Sequence, residues 1–252
     1  MPSNGPITRY MTMSRPISIL LVGASGALGS RIDALATGDD CFDVVARIDR
    51  EHPHAHARDL ARQNHEILVD FSHFGAILDS IALARDRAAP LLVGTTGLEQ
   101  EHLDALAELS TSVPVLVAPN TSVGCVVFIH TVQKIARALG KNFFPSIAEW
   151  HRSGKVDAPS GTANALRAEI EKASDGASRF GSMGVASVRA GGIVGEHVVR
   201  FDGPDETFEL SHTAHSRDLF ARGALRAAAW LVDQKPGRYD MTDVLGLASE
   251  KG

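Results

Sequence analysis

The chain is short of aromatic residues, of cysteine and of positive charge, and each shortage removes a class of answers. Aromatics make up 6% of the 252 residues, with 2 Trp and 2 Tyr, against 44% hydrophobic residues. That balance favours aliphatic helix-on-sheet packing over an aromatic-rich all-β core. A formal net charge of −5 argues against general nucleic-acid binding, which needs a basic surface, although a local basic pocket stays possible. Cys41 and Cys125 sit among apolar residues and read as buried free thiols in a reducing cytoplasm, not as a disulfide or redox pair. No apolar run is long enough to span a bilayer, so no membrane partner is expected. Internal repeats and low-complexity segments are also missing. Residues 1–14 are polar, without the apolar core of a secretory signal. They read as a disordered extension in which Met11 or Met13 is a candidate start.

What is present, from Ile17 on, is alternation. The runs ISILLVGA, FDVVARID, EILVDFS, PLLVGTT and VPVLVAPN are short and apolar and end in polar or glycine residues. Helical patterns lie between the later ones, as in AILDSIALARDRAA and LEQEHLDALAEL. Strands alternating with helices predict an α/β fold with a parallel doubly wound sheet. After Asn120 the pattern changes. CVVFIHTVQKIARALG is a long amphipathic helix, FPSIAEW a strand and TANALRAEIEKA a helix. ASVRAG, EHVVRF and ETFELSH then follow as strands with no helix between them, the last two joined by an Asp-Gly-Pro-Asp turn. This is a smaller α+β domain. The helical tail RDLFARGALRAAAWLVD can rejoin the first one, which places the domains at 15–121 with 218–252, and at 122–217.

GASGALG, residues 23–29, stands between the first strand and the first helix. Gly23, Gly26 and Gly29, with Ser25, Ala27 and Leu28 between them, let backbone N–H groups approach a pyrophosphate at a helix start. Glycine-rich loops are often mere turns, but Asp49 follows about 20 residues later, where a ribose-binding carboxylate is expected. Arg50 comes next and suits the 2′-phosphate of NADP. Asp49 favours NAD and Arg50 permits NADP, so use of either NADH or NADPH is expected. The strand ends Gly94-Thr95-Thr96 and Ala118-Pro119-Asn120 should flank the nicotinamide, because ligands of open sheets bind beyond the carboxyl ends of the strands.

The least ordinary stretch is EWHRSGKVDAPSGTA, residues 149–163. Ser160, Gly161 and Thr162 precede a helix, which is either a plain N-cap or a site for a carboxylate or phosphate. His151 and Lys155 nearby favour the second, with a proton donor beside a negatively charged substrate. Asp157 and Pro159 read as shaping the turn. No metal-ligand cluster is visible; His52, His54 and His56 alternate in a proline-containing segment and suit a solvated loop.

These residues resemble the 4-hydroxy-tetrahydrodipicolinate reductase (dihydrodipicolinate reductase) family, over nearly the whole chain from Ile17. The resemblance rests on GASGALG, VDFS, VGTTG, APNTSVG, E-x-H-x-x-x-K-x-DAPSGTA, VRAGGIVGEH and MTDVLGL. It implies a Rossmann-like nicotinamide-binding domain and a substrate domain with a mixed sheet that builds a homotetramer. It also implies NAD(P)H-dependent reduction of a small cyclic imine bearing two carboxylates, in the diaminopimelate and lysine pathway. By the same resemblance His151 and Lys155 handle the proton, Lys155 as first choice of donor, and Ser160, Gly161 and Thr162 cradle a substrate carboxylate.

Three departures stand out. The family's second histidine is Arg152 here, which can bind a carboxylate in a bidentate way but cannot act as an acid near neutrality. His73 replaces a basic or proline residue of some relatives, and SRFGSMGVAS is shorter than the glycine-rich loop common at that place. Arg217 matches a family arginine near the domain junction. Two other readings therefore stand beside the reductase: a paralogue reducing another carboxylated cyclic imine, and a nucleotide-binding protein without catalysis, for which retained His151 and Lys155 would have no use.

Overall fold

The computed structural model describes residues 16–49, 66–173 and 184–247. The expectations for residues 1–14, for Arg50, for His52, His54 and His56, and for most of the shortened loop fall outside them. The chain forms two compact units, Met1–Thr121 with Phe220–Gly252, and Ser122–Leu219.

In the first unit, β1 (Ile17–Val22), β2 (Phe42–Ile48), β3 (Glu66–Asp70), β4 (Leu91–Val93), β5 (Pro114–Val117) and β10 (Gly237–Tyr239) form one sheet in the order β10-β5-β4-β3-β1-β2. Every pairing is parallel. All six residues of β1 are buried, as a strand covered on both faces requires. Leu20, Val22, Leu68, Leu91, Val93 and Val115 pack on one side with Ile77, Ile81 and Ala84 of α2 (Ile77–Arg87) and Leu106 and Leu109 of α3 (Gln100–Leu109). The strand order reverses between β1 and β3, and α1 (Gly29–Thr37) leaves the sheet at that point. Crevices at such reversals are where open sheets bind ligands.

The tail adds α6 (Asp218–Leu231), whose inner surface is built from Ala221, Gly223, Ala224, Ala227 and Ala228. The strand β10 and the short α7 (Met241–Val244) were not expected as elements. GRY is too short and polar to announce a strand, and it forms through pairing with β5.

The second unit holds a four-stranded mixed sheet, ordered β7-β6-β8-β9, of β6 (Phe144–His151), β7 (Val185–Arg189), β8 (Gly195–Asp202) and β9 (Thr207–Ala214). β6 runs parallel to β7 and antiparallel to β8, which is antiparallel to β9. Phe128, Val132 and Ala136 of α4 (Val123–Leu139) and Ala163, Leu166 and Ile170 of α5 (Gly161–Ala173) join Ile147, Val199 and Phe201 in its core.

One expectation needs correction. Val123–Asn142, at 20 residues and a mean hydropathy of 1.2, is long and apolar enough by composition to cross a membrane. Phe128, Val132 and Ala136 recur every fourth residue and are buried in the core of the unit, the spacing of one helix face packed on a sheet.

Candidate active site

At the carboxyl edge of the first sheet the strand ends are stitched together by backbone hydrogen bonds. Gly23 N–H donates to Ile48 O at 2.7 Å, Phe71 N–H to Val22 O at 3.0 Å, Gly94 N–H to Asp70 O at 2.8 Å and Ala118 N–H to Val93 O at 2.8 Å. This brings the glycine loop, Gly94–Thr96 and Ala118–Asn120 onto one edge, with Asp49 at the end of β2 beside Gly23. Gly23 has φ +82°, and a Cβ there would lie 2.5 Å from Phe71 O. A Cβ on Gly29 would lie 2.0 Å from Gly23 O. Only glycine permits so tight a strand-to-helix turn.

Ser25 and Ala27 are exposed, and Leu28 caps α1 without any side-chain hydrogen bond. The first turn also has no acidic residue, so no side chain competes there for an anion, while the amides of Gly26, Ser30 and Arg31 bond back to Gly23 O, Gly26 O and Leu28 O. Such an uncapped cradle fits a pyrophosphate. Further along the edge, Thr96 and Pro119 are exposed and Asn120 half-buried. Thr95 differs: its buried hydroxyl donates to Asp70 Oδ1 at 2.6 Å. Asp70, fully buried, also accepts from Ser72 N–H at 3.0 Å, from the Ser72 hydroxyl at 2.7 Å and from the Ser80 hydroxyl. One carboxylate thus holds both loops that follow β3 and β4.

The second cluster grows from strand alternation. β6 buries Ile147, Glu149 and His151 on one face, so two polar side chains continue an apolar row. Pairing places Ser187 and His197 opposite Glu149, and Arg189 opposite His151. Glu149 is wholly buried. Its Oε1 accepts from Ser187 Oγ at 2.7 Å, Arg189 Nη2 at 2.8 Å and Ser160 N–H at 3.1 Å. Its Oε2 lies 3.0 Å from His151 Nδ1 and 3.7 Å from His197 Nε2. Ser160 Oγ caps α5 by accepting from Ala163 N–H at 3.2 Å and lies 3.1 Å from His197 Nε2.

These contacts set the charges. Burial would raise the Glu149 carboxyl, but hydrogen bonds from Ser160, Ser187 and Arg189 outweigh it and hold the pKa at about 2. Burial lowers His151 below the usual histidine range, against the pull of Glu149. Burial, with His151 next to it, takes His197 down to about 4. At neutral pH the cluster is therefore an anion between two neutral imidazoles. Glu149, His151 and His197 bring ligand-type atoms within 4.8 Å of one another, a convergence that sequence spacing did not reveal. The Arg189 guanidinium already supplies the cation beside that carboxylate.

Outside the cluster, Arg152 is exposed in the turn after β6. Lys155 Nζ pairs with Asp157 Oδ1 at 2.7 Å, so Asp157 does more than shape the turn. That lysine holds the Asp157 carboxyl below its usual range. A Cβ on Gly161 would meet nothing within 4 Å, so the start of α5 faces open space. Ser160 is buried, with its hydroxyl engaged, whereas Gly161 is exposed and Thr162 half-buried.

Family profiles described as the N-terminus and the C-terminus of dihydrodipicolinate reductase match residues 17–121 and 124–245. The chain belongs to the dihydrodipicolinate reductase family. The 4-hydroxy-tetrahydrodipicolinate reductase of Alkaliphilus metalliredigens is 35% identical, covering 92% of this chain and 100% of the relative. That of Zymomonas mobilis is 36% identical, with 94% and 100% covered. The dipicolinate-bound dihydrodipicolinate reductase from Paenisporosarcina sp. TG-14 shares the fold at a TM-score of 0.72 and 18% identity, covering 90% of this chain and 98% of that one.

Within this family member, Ser187 carried no role in the sequence, and Asp70, Glu149, Arg189 and His197 appeared only as letters of motifs. For Glu149 and His197 the signal was a polar residue on the buried face of an alternating strand, as in His197, Val199 and Phe201.

Proposed function

We propose that the chain reduces 4-hydroxy-tetrahydrodipicolinate to tetrahydrodipicolinate with NADH or NADPH, in the cytoplasm. The observation that carries this reading is the convergence of His151, Lys155 and the open start of α5 in a chain matched along its length by reductase relatives. The nucleotide is held by the first unit: the glycine loop of residues 23–28 takes the pyrophosphate and Asp49 the ribose. Gly94–Thr96 and Ala118–Asn120 line the ring. When bound, a reduced nicotinamide supplies the hydride for the substrate carbon that carries, or has just lost, the hydroxyl. Lys155 donates the compensating proton. His151 orients the substrate, and Arg152 with the amides of Gly161 and Thr162 holds its carboxylates. An unfilled anion site is costly, so this set discriminates against neutral imines. Two free cysteines, Cys41 and Cys125, suit a reducing compartment. The oligomer we propose is a homotetramer.

The test supplies the substrate from pyruvate and aspartate semialdehyde with its synthase and follows oxidation of each nucleotide. Synthase-dependent oxidation, with Michaelis constants for NADH and NADPH within about tenfold of each other, is expected from Asp49 beside Arg50. Tight NADH binding without turnover would overturn the substrate assignment and favour a paralogue, with Arg152 in the family's histidine position as its motive.

A further inference from the structure

Glu149 touches more of the second cluster than any residue given a chemical role. Its Oε1 is saturated by Ser160 N–H, Ser187 Oγ and Arg189 Nη2. Its Oε2 has no aligned hydrogen bond, nor has His151 Nδ1, yet the two atoms are 3.0 Å apart. A buried carboxylate oxygen and a buried ring nitrogen left so close require a proton between them, since each unmade bond is costly.

His197 does not supply that proton. Its Nε2 is engaged by Ser160 Oγ, 3.1 Å away, which also accepts from Ala163 N–H at 3.2 Å. The same nitrogen stands 3.7 Å from Oε2, too far for a hydrogen bond. His151 Nδ1 is the remaining donor.

We infer that Glu149 is the positioning residue of this site: through Oε2 it fixes the His151 proton on Nδ1, and through Oε1 it anchors the start of α5. One buried carboxylate thus sets both the proton-handling imidazole and the anion cradle. The consequence is a division of labour. A neutral His151 with its proton on Nδ1 presents a lone pair at Nε2, so it accepts a hydrogen bond and leaves acid duty to Lys155. The charged groups acting on His151 are Glu149 and Asp157, which favour its protonation, and Lys155 and Arg189, which oppose it; His197 stacks edge-on at 5.1 Å.

The first test needs no substrate. In protein labelled with 15N-histidine, with the His151 signals assigned through His151→Gln, the nitrogen shifts at neutral pH should show protonated Nδ1 and bare Nε2. The opposite tautomer overturns the inference whatever the enzyme reduces. The second test rests on the proposed reaction. Glu149→Gln should lower kcat about 10–100-fold, the range for residues that orient a functional histidine, with the NADH dissociation constant unchanged. The His151 titration should move to lower pH, because the group that raised it is gone. Combined with His151→Gln, the second substitution should cost no further activity, as for residues acting as a unit. Multiplying losses, or wild-type kcat in Glu149→Gln, would show that Glu149 does not act through His151.

Discussion

Gly195, the first residue of β8, lies against His151. A Cβ built there would be 3.2 Å from His151 Nε2 and 3.9 Å from His197 Cε1. That contact is tight but not forbidding, and the soft partner is the imidazole, which must turn away from Glu149 to relieve it. Replacing glycine by alanine in a compatible backbone raises stability by about 0.4–1 kcal/mol through the unfolded chain. Gly195→Ala is therefore expected to keep or raise the melting temperature while lowering kcat about tenfold, the low end for a mispositioned functional histidine. Unchanged kcat beside an unchanged melting temperature would show that His151 has room to spare. This position carried no message in the sequence, where Gly195 is one of several glycines in AGGIVGEH. Its meaning comes from the pairing of β6 with β8, and the same holds for Ser187 and Arg189 on β7. The loop His151–Thr162 was legible because its chemistry is local.

At the scale of elements, apolar runs bounded by glycine and polar residues marked five strands of the first sheet and the helices between them. The sixth, β10, has three residues, one of them Arg238, and owes its existence to an edge of β5 that needed a partner. The alternation of β6 and β8 was legible as strand but not as site, because a buried glutamate or histidine says nothing about which partner stands across the sheet. The return of the tail, by contrast, left a mark in composition. α6 is rich in alanine with Gly223 inside it, and a Cβ on Gly223 would lie 1.7 Å from Thr121 O. The Thr121 hydroxyl also donates to Phe220 O at 2.7 Å. The helix therefore clamps the chain at the point where it leaves the first unit. Gly223→Ala must push helix and backbone apart, since neither neighbour is a flexible side-chain end. A loss of about 2–3 kcal/mol is expected from such overpacking, read as a lower denaturant midpoint at constant slope. An unchanged midpoint would mean that α6 can slide without cost.

For the whole molecule, the two buried groups with the largest displacements make stability depend on acidity in a defined order. His197 falls from 6.5 to about 4 on folding. The unfolded chain therefore binds its proton first as the pH drops, and stability is lost between those values. His151 and His212, both lowered chiefly by burial, act in the same direction. Glu149 falls from 4.5 to about 2, so its contribution is complete above 4.5 and disappears as the pH descends toward 2. Acid should thus weaken the second unit in two stages, histidines before the glutamate. The sign can be separated from general acid expansion by one substitution. His197→Gln keeps a group able to hydrogen-bond the Ser160 hydroxyl and removes the titration, so its melting temperature should vary less than that of the wild type between pH 6.5 and 4. Both proteins should then lose stability alike below pH 4, where Glu149 takes up its proton. Parallel curves throughout would place the acid-sensitive group elsewhere, and a steeper curve for the variant would reverse the sign argued for a histidine buried without charge.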